Sequence, residues 1–269
     1  MFPTFEIFGK TIGMYGVCAV LGLAACVIFA TRVFKKIGLF FEDVMLICAV
    51  VSIGILLGGS FLYGLTHIRE LIHLVPDIDS FKKFIAVIRY CFGGSVFYGG
   101  FFGMILALNI YMKHMKFKDK TYIKDGIYTS IPLFHCFGRI GCFLGGCCYG
   151  IESAFGFITY DNKLSPGING VRRFPVSLLE SLINLIIFLI LYFAFFKRGK
   201  CKGSIIYIYM LMYPFARFFI EFLRDDAIRG FIGPFSTSQW ISIILFVVAV
   251  CVLTVKHFKN KNQKTENID

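Results

Sequence analysis

The sequence predicts an all-α integral membrane protein with seven transmembrane helices, its N-terminus outside and its C-terminus in the cytoplasm. Composition is the first reason. Of 269 residues, 57% are hydrophobic and 16% charged, whereas an ordinary globular domain is about 45–50% apolar with glycine included and about 25% charged. Here 27 glycines come on top of the 57%, and only lipid can cover that much apolar surface. Second, seven apolar stretches approach the ~20 residues that cross a bilayer core: 11–31, 44–66, 84–112, 128–147, 176–196, 204–223 and 236–255. Third, the basic residues alternate from loop to loop in the way that fixes membrane orientation.

The first stretch is expected to stay as a helix, because Met1 to Lys10 lacks the basic start of a cleaved leader and the apolar run is long enough to remain in the membrane. The third is over-long, so its first turns, Phe84 to Tyr90, are placed outside the hydrocarbon, and the glycine pairs Gly93-Gly94 and Gly99-Gly100 break it. The fourth is short and glycine-rich. The other five read as ordinary spans. Residues 1–258 are taken as one transmembrane domain and 259–269 as a polar, disordered cytoplasmic tail.

Loop one carries Arg32, Lys35 and Lys36; loop three Lys113, Lys116, Lys118, Lys120 and Lys124; loop five Lys197, Arg198, Lys200 and Lys202; the tail Lys256, Lys259, Lys261 and Lys264. Loop two balances Arg69, Lys82 and Lys83 against Glu70, Asp77 and Asp79, and only Glu6 and Lys10 precede the first span. The first set is therefore cytoplasmic and the second external. This distribution accounts for the net charge of +12 without nucleic acid as a partner, and the cytoplasmic lysines also favour anionic headgroups of the lipid bilayer. Of the ten cysteines, Cys18, Cys26, Cys48, Cys91 and Cys251 fall in or beside spans as small apolar residues.

Four segments can carry chemistry. The run from His135 to Gly150 holds Arg139 inside an apolar stretch, with Gly138, Gly141, Gly145, Gly146 and Gly150. A buried arginine there costs several kcal/mol unless it meets a partner, water or an anion. Beside backbone N–H groups exposed by glycine, its guanidinium fork suits a phosphate; alternatively the helix is glycine-packed and the arginine snorkels to the interface. The same run holds Cys136, Cys142, Cys147 and Cys148. No second cluster completes a zinc ligand set, so small-residue packing is preferred to a zinc or thiol-redox site.

In the sixth span, Tyr213, Arg217, Glu221 and Arg224 recur at four, four and three residues and share one helix face. Arg217 and Glu221 can neutralise each other, which leaves Tyr213 and Arg224 to find partners across a cavity. Tyr98, between Ser95 and the Gly99-Gly100 pair, can donate to a headgroup or accept a proton, or serve as an interfacial aromatic anchor. Finally, Pro175 opens the fifth span and Glu180 sits just inside it. Favouring a helix N-terminus is the simpler reading of Glu180; orienting an arginine is the alternative.

In this order the segments resemble the prolipoprotein diacylglyceryl transferase family of bacterial cytoplasmic-membrane enzymes. Tyr15-Gly16, Phe97 to Gly100, the Gly138-Arg139 run with Gly150, Pro175 with Glu180, Tyr213 to Arg224, and Ser236 with Gln239 are similar to its motifs. Four positions depart from the family pattern: Tyr98 and Phe174 occupy places where histidines are common, Cys142 replaces an asparagine, and Cys147 stands where a glutamate is common. The resemblance implies transfer of diacylglyceryl from phosphatidylglycerol to the lipobox cysteine of a prolipoprotein signal peptide, with glycerol phosphate released. It implies catalytic roles for Tyr98, His135, Arg139 and Arg217, and substrate binding by Tyr15, Gly99, Gly100, Gly138, Gly150, Glu180, Tyr213, Glu221 and Arg224. Neither a metal nor an organic cofactor is called for, and a monomer is expected. Two other readings use the same residues: a non-catalytic homologue that binds phospholipid or signal peptides, and a transporter of anions or lipid headgroups. The lack of an internal repeat weighs against the transporter.

Overall fold

The computed structural model describes residues 4–7, 10–74, 80–160, 162, 166–225 and 230–266. A short antiparallel hairpin, β1 (Thr4–Ile7) and β2 (Lys10–Gly13), leads into α1 (Met14–Phe34). Then come α2 (Phe41–Thr66), α3 (Ile68–Leu74), α4 (Phe81–Phe92), α5 (Phe97–His114) and α6 (Lys120–Gly145). Strands β3 (Glu152–Ile158) and β4 (Arg172–Arg173) pair antiparallel before α7 (Val176–Ile190), which continues as a π-helical turn over Leu191–Phe196. Helix α8 (Ile205–Ile220) ends in a 3₁₀ turn, Glu221–Leu223, and the hairpin β5 (Phe231–Ile232) and β6 (Phe235–Ser236) leads into α9 (Thr237–Glu266).

Six helices are long and apolar enough to cross a membrane, or seven spans if α4 and α5 are counted as one bent pair. The expected break in the third stretch is present: α4 and α5 meet at 94° across Gly93 to Val96. Helix α4 is strongly amphipathic, with Phe81, Phe84, Ile85 and Ile88 exposed. Exposed Leu56, Leu57, Leu182, Leu189, Phe215, Phe219 and Val247 show the same outward apolar character on the long helices, as side chains facing lipid must.

Three boundaries differ from expectation. Helix α6 begins at Lys120, not 128, because the buried carboxylate of Asp125 accepts the backbone N–H of Gly203 at 2.7 Å. Residues after Phe258 continue α9 to Glu266, since Lys, Gln and Glu are good helix formers and no Gly or Pro stops them. The hairpin before α1 has no periodic signal in so short a segment. Asp77 and Asp79 of loop two, and the last three residues of the tail, lie outside the described residues.

The chain divides into two compact units, residues 33–120 and residues 1–32 with 121–269. In the first, α2 and α5 pack through glycine. A Cβ added at Gly99 would overlap Gly58 O, one at Gly103 would overlap Gly54 O, and one at Gly100 would sit 3.2 Å from Ile55. Gly99 and Gly100, expected to shape a substrate site, are thus used in close backbone approach, the usual function of small residues between membrane helices. Gly99→Leu is expected to destabilise this unit by about 1–3 kcal/mol or more, read as a lower thermal midpoint in detergent; an unchanged midpoint would contradict the packing assignment. In the second unit α1 meets α6 where Gly22 faces Phe137 and Gly141 faces Tyr15 and Cys18.

Candidate active site

The polar residues of the second unit converge where α6 and α8 end and α7 and α9 begin. Pro175 occupies the N-cap position of α7, so Glu180 lies beyond the first turn, and it is fully buried. The simpler reading of Glu180 as a helix-terminus charge is therefore replaced by a different role. Its Oε1 is 3.0 Å from Arg139 Nη2 and accepts the Tyr213 hydroxyl at 2.8 Å. Arg217 Nε stands 4.0 Å from Oε1, and Arg224 Nη1 3.6 Å from Oε2. One carboxylate thus gathers three arginines from two other segments, the condition under which a charge can be buried at all.

A second carboxylate completes the cluster. Glu221 Oε2 lies 2.5 Å from Arg217 Nη2 and 3.9 Å from Arg224 Nε, and its Oε1 accepts Ser236 Oγ at 2.8 Å. The four-four-three spacing does place Tyr213, Arg217, Glu221 and Arg224 together, though a 3₁₀ turn carries Glu221 and the extended Arg224 lies past it. Ser236 and Gln239 cap α9 reciprocally, with Ser236 N donating to Gln239 Oε1 and Gln239 N to Ser236 Oγ. Among the described residues, three guanidiniums face two carboxylates, one positive charge in excess. Among the described residues Arg217 Nη1 is buried without a hydrogen-bond partner, a group that an incoming anion would satisfy.

His135, one turn before Arg139, accepts from Arg139 Nε at its own Nε2, 3.2 Å away, and its Nδ1 is 3.5 Å from the Tyr209 hydroxyl. An arginine N–H can only donate, so the Nε2 lone pair is already engaged. The His135 ring packs edge-on against Tyr213 at 4.7 Å. Tyr15, at the start of α1 and more than half exposed, lies in electrostatic reach of Arg139 and Cys142. Gly150 is required sterically, since a Cβ there would meet Phe174 O at 2.6 Å and Leu223 O at 2.8 Å where residue 150 bridges Arg224. Gly138 has open space around it, so no steric need explains it.

Tyr98, Gly99 and Gly100 belong to the unit of residues 33–120, with Tyr98 in the first turn of α5 and its ring edge-on to Phe97 at 5.5 Å. Arg173 pairs with Asp225 at 2.5 Å and Glu152 at 3.6 Å and stacks over Tyr149, which ties the β3–β4 segment to the end of α8. Sequence reasoning does not find Ser177, which donates to Cys148 O at 2.8 Å, or Ser238, 3.5 Å from Arg217 Nη2. Isolated serines in apolar helices carry no spacing signal.

Such a cluster can hold a singly charged phosphodiester, because guanidinium forks donate paired, charge-assisted hydrogen bonds to phosphate oxygens and never lose their charge. Fold and site together define a multi-span membrane protein with a buried cluster of arginines and carboxylates among its helices. A family model described as prolipoprotein diacylglyceryl transferase matches residues 3–255. The phosphatidylglycerol–prolipoprotein diacylglyceryl transferase 2 of Clostridium perfringens is 33% identical over 268 residues, 97% of each chain. Similarly named proteins of Clostridium tetani and Campylobacter hominis are 30% and 32% identical, covering 96% and 97% of this chain and 98% and 92% of their own. The chain belongs to the prolipoprotein diacylglyceryl transferase family.

Proposed function

We infer that the protein is a transferase that moves the diacylglyceryl group of phosphatidylglycerol to the lipobox cysteine thiol of a prolipoprotein, forming a thioether and releasing glycerol phosphate. The observation that carries this reading is the Glu180-centred cluster of Arg139, Arg217 and Arg224, which among the described residues carries one more positive charge than its carboxylates. Arg139, Arg217 and Arg224 hold the headgroup phosphate and stabilise the charge that grows on it as the glyceryl carbon–oxygen bond breaks. Tyr213 and Glu221 keep those arginines in place. His135 acts through Arg139 as a positioning residue, because its lone pair is engaged there; Tyr98 stays the candidate proton acceptor, and the positive field of the arginines favours the acceptor thiolate.

The alternating loop charges support an external N-terminus, a cytoplasmic C-terminus and residence in the bacterial cytoplasmic membrane. In that orientation the cluster lies at the external ends of the spans. A monomer suffices, since every arginine of the cluster is held by carboxylates of its own chain.

Purified protein mixed with phosphatidylglycerol and a lipobox peptide should add the mass of one diacylglyceryl group to the peptide, and a Cys→Ser peptide should gain none. An unmodified peptide with folded protein and lipid present would overturn the reading in favour of a binding protein or transporter. Tyr98→Phe is expected to slow transfer about 10²-fold to 10⁴-fold if that hydroxyl moves the proton, whereas His135→Ala should slow it less. Full activity in both variants would remove both assignments.

A further inference from the structure

We propose that Cys142, Cys147 and Cys148 form a three-thiolate site for a thiophilic divalent cation of the zinc class, with a fourth position left for the acceptor thiol. The way α6 ends brings these thiols together. Gly146, in the left-handed region at φ 66°, donates its N–H to Phe143 O at 3.2 Å, and Cys147 N donates to Cys142 O at 3.3 Å. These two bonds make a Schellman cap, in which the second residue past the helix folds back over the third from its end. That geometry lays Cys147 over Cys142 and delivers Cys148 beside both. The three sulfurs lie within 4.8 Å of one another, with Cys147 and Cys148 Sγ 4.0 Å apart. Zinc–sulfur bonds of about 2.3 Å in a tetrahedron set sulfurs about 3.8 Å apart, so ligation needs shifts of under about 1 Å.

Besides the weak contact of Cys147 Sγ with Cys142 O at 3.7 Å, two stronger bonds that do not draw on the sulfurs hold the loop. Asn162 Nδ2 donates to Gly146 O at 2.9 Å, and Ser177 Oγ to Cys148 O at 2.8 Å. Arg139 Nη1 stands 4.0 Å from Cys148 Sγ and offsets the negative charge that three thiolates bring beyond a divalent cation. Cys147 is exposed while Cys142 is buried, so one side of the site opens outward. An all-sulfur set selects zinc-class ions over magnesium or calcium, and three protein ligands with an open fourth position mark a reactive rather than a closed structural site.

The fourth-position assignment rests on the transferase reading. A thiol that binds such an ion loses its proton and remains a nucleophile. Its sulfur then forms the bond to the glyceryl carbon while the carbon–oxygen bond breaks and the electron pair leaves with the phosphate held by Arg139; the thiol proton ends on the glycerol phosphate. The site therefore lies where the sulfur and the headgroup must meet. It also accounts for Cys142 and Cys147 standing where the family resemblance leads one to expect asparagine and glutamate.

The test uses the full chain, reduced, stripped of metal and titrated with Cd²⁺ in detergent, with the ultraviolet sulfur-to-cadmium charge-transfer band as readout and Zn²⁺ as competitor. A single saturable Cd²⁺ is expected, displaced by Zn²⁺, and each of Cys142→Ser, Cys147→Ser and Cys148→Ser should weaken it at least about tenfold. Cys251→Ser, at an exposed position of α9, should bind as the parent does, and Cys147→His should retain the site with a nitrogen ligand. No saturable binding in the parent, or equal binding by the triple serine variant, overturns the proposal. In the transfer assay, chelation should abolish thioether formation and Zn²⁺ restore it. Undiminished transfer by zinc-free protein would overturn the fourth-position assignment and leave the transferase reading intact. Cysteine-dependent Cd²⁺ binding with no thioether from any phospholipid would overturn the transferase reading and leave the metal site standing.

Discussion

Glu180→Gln is expected to lower the initial rate of thioether formation by about 10²-fold to 10³-fold, the range seen when a single electrostatic element of a transition-state site is removed. Glutamine has nearly the same shape and keeps an oxygen to accept the Tyr213 hydroxyl, so the loss isolates the charge. Without it, the cluster's remaining carboxylate among the described residues is Glu221, which approaches Arg217 and Arg224. Arg139 would be left beside His135 and Cys148, able to turn from the position a phosphate requires. The same change should destabilise the fold, since breaking a buried ion pair by removing one partner costs about 3–5 kcal/mol. A Glu180→Gln protein with parental rate and melting temperature would contradict the arrangement.

Arg217→Ala should cost as much. Arg217 is 2% exposed, salt-bridged to Glu221 at 2.5 Å, and keeps Nη1 buried without a hydrogen-bond partner among the described residues. That nitrogen is the donor best placed to gain an oxygen when lipid arrives. Arg217→Lys retains the charge and can reach Glu221, but a compact ammonium cannot hold a carboxylate and a phosphate through one planar fork. It should therefore recover less than about a tenth of the lost rate, with a raised KM for phosphatidylglycerol. Recovery by lysine to the parental rate would show that only charge matters.

Much of this arrangement is legible in the sequence. The sixth-span stripe is a local, periodic signal, so spacing alone groups Tyr213, Arg217, Glu221 and Arg224; Arg139 stands out as a charge in an apolar run. The break at Gly93-Gly94 is visible for the same reason, as backbone freedom inside a long apolar stretch. Glu180 is harder to judge because its partners come from α6 and α8, and nothing near it in sequence distinguishes a cluster centre from a helix-start carboxylate. Gly99 and Gly100 suggest a substrate site because glycine spacing looks alike whether it admits a ligand or a neighbouring helix, and their contacts with Gly58 and Ile55 on α2 are too distant in sequence for spacing to show. Spacing makes the cysteines packing residues, whereas the proximity of their sulfurs depends on the helix cap at Gly146. That cap is a matter of backbone hydrogen bonds that ligand-spacing rules do not encode.

The central claim is that the arginine cluster holds a phosphatidylglycerol phosphate while sulfur displaces it from the glyceryl carbon. The most direct measurement follows thioether peptide by mass and released glycerol phosphate in the same reaction, with parental protein and with Arg139→Ala. The account predicts one glycerol phosphate per thioether for the parent and a parallel loss of both products in Arg139→Ala. Parental turnover by Arg139→Ala, or glycerol phosphate released without thioether, would contradict it.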